Sequence, residues 1–406
     1  MTPSTPSTMA KAARQPRPVK RQTELSALTG LRFFAAFYVV VYHFISPSLP
    51  KSLPAVVNIF SVGYTAVGLF FLLSGFVLSY SYLREPGRLS IDRRTFWIAR
   101  IARIYPAYLF AFLLAAPFQI AGSVGVNGLR VGLEKLTVGG ALVVALLQAW
   151  TPWSAWYWNI PAWSLSVEVF FYFCFPFLAP VLALLRPRGS IRLAAGLWLV
   201  GLAAPIAYCA FKHPDLQPPL GNVQLAIETN PLLRLPEFLV GILLGWIFVS
   251  GFRFSNRVAA WLSIFALGAS LAAMSFSSLA PRPLFANGLL APLMGLLIFS
   301  LAHQSGILAM FLSHPILKLL GDASYAVYVL QFPIASFFGI APGHCTFARF
   351  ACYLIVLVLV SVFTFFFIEQ PLRVRIKQRL GGTNASSTAK TALPANAPVA
   401  TGQVTA

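Results

Sequence analysis

The sequence predicts an all-α polytopic membrane protein of about ten transmembrane helices plus one re-entrant segment, with both termini cytoplasmic. Three observations carry this fold class. Of 406 residues, 58% are hydrophobic and 10% charged, and the mean hydropathy is +0.76. That is more apolar surface than a soluble core encloses. The apolar segments run to about 20 residues, the length of a spanning helix rather than of a barrel strand. The 30 Lys and Arg, against 10 Asp and Glu, fall mostly in short loops between those segments. There they set orientation, so the formal charge of +20 does not point to nucleic acid.

Residues 1–24 are a polar, basic tail with no apolar core of its own, expected to be disordered and cytoplasmic and not a cleaved signal peptide. The membrane domain is expected over 25–379. Its first span ends near residue 45. The second, 62–82, carries Gly63, Gly68, Ser74 and Gly75, small residues that permit close helix approach. A dense basic stretch follows, with Arg84, Arg88, Arg93, Arg94, Arg100 and Arg103, placed inside by the positive-inside rule.

Further spans are expected over 104–121, 170–185 (from an apolar start near 163), 193–211, 232–249, 259–274, 288–302, 325–340 and 352–368. The segment 136–150 is apolar but short. If it enters and leaves on one side, the basic clusters Arg186/Arg188/Arg192, Arg253/Arg257 and Arg373/Arg375/Lys377/Arg379 all fall inside, so it is assigned as re-entrant. Residues 380–406 are a low-complexity cytoplasmic tail. Cys174, Cys209, Cys345 and Cys352 have no metal-ligand spacing and read as packing residues, and no metal is expected.

The first helix, LTGLRFFAAFYVVVYHF, holds Arg32 and His43. Eleven positions is close to three turns, so both side chains share a face, roughly 16 Å apart along the axis. Ionisable groups in a span normally meet a partner or a wet cavity. Arg100 and Arg103, one turn apart in FWIARIARIYP, suit a phosphate-bearing ligand, though they serve equally as a topology signal against anionic lipid. Glu168, in WSLSVEVFFY, is expected at a depth comparable to His43, where its carboxylate meets either the imidazole or another polar group. That pairing assumes a span that starts at the outer face.

Arg234 and Glu237 are expected as a local ion pair. Asp322, Ser324, Tyr325, Tyr328 and Gln331 form a polar run in which the tyrosines read first as interface anchors. His213, His303, His314 and His344 sit near segment ends.

Together these residues resemble the acyltransferase-3 family of integral membrane acyltransferases. The resemblance covers 25–379 and rests on five elements in order: LTGLRFFAAFYVVVYHF, VGLFFLLSGFVLS, FWIARIARIYPAY, WSLSVEVFFY and LGDASYAVYVLQFP. It implies a bacterial inner-membrane enzyme that takes an acyl group, usually acetyl, from cytoplasmic acyl-CoA. The group passes to a hydroxyl of a carbohydrate, either a surface polysaccharide or a lipid-linked glycan. Residue by residue, it implies His43 and Glu168 as catalytic and Arg32, Arg100 and Arg103 as the acyl-CoA site.

Two departures stand out. Many members have histidine where this chain has Gln331, which is therefore given no catalytic role. Some members append a periplasmic hydrolase-like domain that is expected to be absent here. A small-molecule or lipid acceptor shares every motif. A transporter with a buried proton relay is the remaining rival, though no inverted repeat supports it.

Overall fold

The computed structural model describes residues 24–50, 52–215, 220–341 and 346–380. Both predicted tails, His344 and Cys345 lie outside the described residues, apart from Glu24 and Leu380 at the tails' inner ends. In chain order the elements are α1 (Ser26–Phe44), α2 (Pro54–Ser61), α3 (Thr65–Tyr82), a hairpin of β1 (Leu83–Glu85) and β2 (Arg88–Leu89), and α4 (Arg93–Asn127). There follow α5 (Leu129–Val144), α6 (Pro152–Ala155), α7 (Trp163–Leu182), α8 (Pro187–Phe211), α9 (Asn222–Thr229) and α10 (Pro231–Val249). The C-terminal part holds α11 (Asn256–Ser275), α12 (Arg282–Ala286), α13 (Ala291–Leu301), α14 (Gly306–Leu312), α15 (Pro315–Phe337), α16 (Phe347–Thr364) and α17 (Gln370–Leu380).

Among the described residues nine helices are long and apolar enough to span a bilayer. Ten are if α14 and α15, bent by 64°, count as one. They coincide one for one with the ten predicted spans. The basic stretch before the third span is not all loop: Arg93, Arg94, Arg100 and Arg103 lie on α4, whose N-cap Asp92 accepts from Thr95 N–H at 2.9 Å. Those bonds hold the Asp92 carboxyl below the usual range.

The short apolar segment enters and turns back. After Gly128, at φ +75°, α5 returns along α4 for 16 residues. Its end is fixed halfway down, where Tyr108 Oη donates to Val143 O at 2.5 Å and Tyr105 Oη to Val144 O at 2.9 Å. The chain then climbs, so that Trp158 Nε1 donates to Phe112 O at 2.9 Å, before α7 begins. α7 therefore starts inside the bundle, where the Ser164 hydroxyl meets the Tyr328 hydroxyl at 2.9 Å.

Prolines inside spans release a carbonyl one turn back, which in a bilayer needs a donor. Pro176 in α7 frees Tyr172 O, and Trp97 Nε1 on α4 donates to it at 3.1 Å. Pro333 in α15 frees Val329 O, which accepts from Asn159 Nδ2 at 2.8 Å. The two bonds pin α7 to α4 and the re-entrant loop to α15. As the glycines predicted, α3 and the turn before it pack tightly: Gly63 lies against Tyr42, and Gly75 against the backbone of Phe238 and Gly241 on α10. Ser74 instead points its hydroxyl at Glu168.

Candidate functional site

α15 is the ruler of the site. Asp322, Tyr325, Tyr328 and Gln331 follow at intervals of three along a helix that runs parallel to α1, a rise of about 14 Å from first to last. The two tyrosines do not anchor an interface. Tyr325 Oη donates to Ile104 O at 2.8 Å, and Tyr328 is buried against Ser164.

At the Asp322 level sit the three predicted arginines. Arg32 lies within electrostatic reach of Asp322, Glu168 and Arg100. It makes no hydrogen bond or ion pair among the described residues and lines a cavity of about 310 Å³ with Glu24, Leu28, Thr29 and Val77. Arg100 donates to Tyr82 Oη at 2.9 Å and faces the Tyr172 ring at 5.7 Å. Arg103 is ion-paired with the buried Glu369, which a π-helical turn, Phe365–Glu369, aims inward. Its guanidinium also lies 5.9 Å from the Tyr325 ring centroid.

Glu168 belongs to this level too. Its Oε1 accepts from Tyr172 Oη at 2.5 Å and from Ser74 Oγ at 3.3 Å. Of the two alternatives, the imidazole or another polar group, it takes the second and makes no hydrogen bond to His43, and the reason is the re-entrant segment. Because α7 starts inside the bundle, Glu168 sits deeper than a helix starting at the outer face would place it. There its hydrogen bonds come from Tyr172 and Ser74, and it lies within electrostatic reach of Arg32 and Arg100.

His43 stands at the other end of the ruler, half-buried, with the Phe332 ring at 5.0 Å. Its Nδ1 lies 2.8 Å from Gln331 Oε1. Gln331 is wholly buried, and its Nε2 donates to Tyr328 O at 2.8 Å. The amide oxygen therefore faces the ring. An oxygen only accepts, so Nδ1 carries the proton, and in the neutral ring Nε2 keeps its lone pair. Nε2 has no hydrogen-bond partner among the described residues. Tyr353 Oη, donating to Gln331 O at 3.0 Å, braces the same residue.

Beyond His43 lies an ionic group that motif reading did not join to the site. Arg282 pairs with Glu228 at 3.2 Å, donates to Tyr42 Oη at 3.1 Å and stacks 4.1 Å over Tyr64. The signal available was a lone arginine between two prolines, Pro281 and Pro283. Arg234 and Glu237 form the expected pair at 2.9 Å, with Arg234 also held by Ala286 O. The remaining described histidines outside this group include two with structural bonds. His303 bridges Phe254 N–H and Phe299 O at 3.0 Å, and His314 caps α15. Among the described residues no three His, Cys, Asp or Glu side chains form a metal-ligand group.

Comparison with known proteins gives a family match. The family model described as an acyltransferase domain, Acyl_transf_3, matches residues 25–366. Acyltransferase MdmB of Streptomyces mycarofaciens is 33% identical over 241 residues, 57% of this chain and 59% of its own. The putative peptidoglycan O-acetyltransferase YrhL of Bacillus subtilis is 26% identical over 378 residues, 86% of this chain and 55% of its own. O-acetyltransferase OatA of Staphylococcus aureus is 24% identical over 369 residues, 86% of this chain and 57% of its own. The chain thus spans between 55% and 59% of the length of these relatives. No solved structure matches it significantly.

Proposed function

We propose that this chain, which belongs to the acyltransferase-3 family, is an O-acyltransferase of the bacterial inner membrane. It moves an acyl group, acetyl first among them, from cytoplasmic acyl-CoA to a carbohydrate hydroxyl. The observation that carries the reading is the free Nε2 of His43, fixed as a base by Gln331, at the far end of a polar ladder from three arginines.

The donor's phosphates bind at the Arg32, Arg100 and Arg103 level, with the thioester directed along α15 toward His43. Nε2 takes the proton of the acceptor hydroxyl as its oxygen attacks the thioester carbonyl. The C–S bond breaks, and the CoA sulfur leaves with the proton returned from the imidazolium. Glu168 acts at the arginine level: with Ser74 and Tyr172 it supplies a fixed counter-charge that positions Arg32 and Arg100. The carbohydrate acceptor enters from the His43 end, past Tyr42 and Arg282.

The test uses washed membranes carrying wild type or His43→Ala at equal expression, given acetyl-labelled acetyl-CoA. The expected result is base-labile label in a non-CoA product from wild type, reduced at least about 10²-fold in the variant, the scale of a general base. Equal incorporation by both removes His43 from the chemistry and sinks the mechanism.

A further inference from the structure

The mechanism above leaves α17 unused, and its charges are arranged unlike a simple basic stop. α17 leaves the π-helical turn directly after Glu369 and packs along α4. Arg373 and Lys377, four apart, are half-buried, whereas Arg375 and Arg379 are exposed. The inward pair lies within electrostatic reach of the α4 arginines: Arg100 acts on both, and Arg103 on Lys377.

Like charges at this spacing destabilise a helix, and here they also face further cations. Arg32, Arg100, Arg103, Arg373 and Lys377 converge against three carboxylates, Glu168, Asp322 and Glu369. Arg100 Nε is buried with no hydrogen-bond partner among the described residues. Cations gathered so closely and partly out of water call for a multivalent anion.

We propose that Arg373 and Lys377 complete a polyphosphate site at the mouth of the bundle, where they hold the ribose 3′-phosphate of CoA while Arg100 takes the diphosphate. This rests on the reading of the donor as acyl-CoA. The chemistry is that of a phosphate monoester, terminal and doubly charged. A phospholipid headgroup offers related oxygens and is separated by the lipid composition of the test.

The full chain in nanodiscs is titrated with CoA and with 3′-dephospho-CoA, for wild type, Arg373→Gln/Lys377→Gln and the outward control Arg375→Gln/Arg379→Gln. In purely zwitterionic lipid, replacing the inward pair is expected to weaken CoA binding about tenfold or more, the worth of charge-assisted bonds to phosphate. Affinity for 3′-dephospho-CoA, which also reports that the variant is folded, is expected to stay within about threefold, and the outward control within about twofold, as exposed charges allow. CoA affinity equal to wild type in the inward variant, or equal loss for both ligands, overturns the proposal. So does a difference seen only with anionic lipid, which assigns the pair to a headgroup. Wild type that binds CoA but transfers no acetyl overturns the O-acyltransferase reading and leaves this site standing; wild type that binds no CoA overturns both.

Discussion

Because the Gln331 amide donates to Tyr328 O and accepts from His43, its removal frees the imidazole to place its proton on either nitrogen. In the proposed mechanism Gln331 is thus a positioning residue. Gln331→Leu is expected to lower kcat about 10²-fold, the scale of a misplaced general base, while the KM for acyl-CoA stays near wild type. Gln331→His restores an acceptor at the same depth and is expected to retain most of the rate. A parallel rise in KM in Gln331→Leu, or unchanged kcat, removes the tautomer argument. This residue was not legible as functional in the sequence: an amide gains its meaning from a ring 288 positions away. Arg32 and His43 stood out in the sequence as candidates because charge in an apolar run is conspicuous by itself. Glu168 was legible as a buried charge but not as a partner, since its depth depends on how the preceding loop folds.

Helix contact in a bilayer comes from close packing rather than from hydrophobic exclusion, so glycine at a crossing acts differently from glycine on an outer face. At Gly241 on α10 a Cβ would run into the backbone of Leu72 on α3, and Gly75 meets α10 in the same way from the other side. Gly268 on α11 has nothing within 4 Å. Gly241→Leu is therefore expected to force α3 from α10 and lower the unfolding temperature in detergent strongly. Gly268→Ala should be neutral or stabilising by up to about 1 kcal/mol through helix propensity. Equal behaviour of the two in a thermal-shift series would remove close α3–α10 contact as the source of rigidity. Such crossings were half legible. The small residues of 62–82 announced them, but their partners on α10 did not. The spans themselves were legible from apolar length, whereas the N-terminal third of α4 was hidden by its arginines. Those read as loop until Tyr82, Glu369 and Tyr172 are seen to receive them.

At the scale of the whole molecule the basic clusters gather on one face, although they are far apart in the chain. Gly87 in the β-hairpin lies against Leu184, just before Arg186, and Trp246 donates to Leu185 O at 3.1 Å. Leu25 and Arg253 line one cavity, Glu24 pairs with Lys318 at 2.7 Å, and Glu369, preceding α17, pairs with Arg103. The positive-inside rule predicts that face to be cytoplasmic, with Glu24 and α17 on its side and the α4–α5 tip outside. The arrangement depends on α5. At 16 residues it rises about 24 Å, and hydrogen bonds from Tyr105 and Tyr108 stop it midway along α4. In a background with all four cysteines replaced, single cysteines at Asn127 and Lys212 are expected to react with an impermeant maleimide in intact cells. One at Gly251 is expected to react only after permeabilisation. If Asn127 labels from outside while Lys212 and Gly251 exchange behaviour, α5 crosses the bilayer. α15 would then run antiparallel to α1, and the ladder from the arginines to His43 could not exist as a single track.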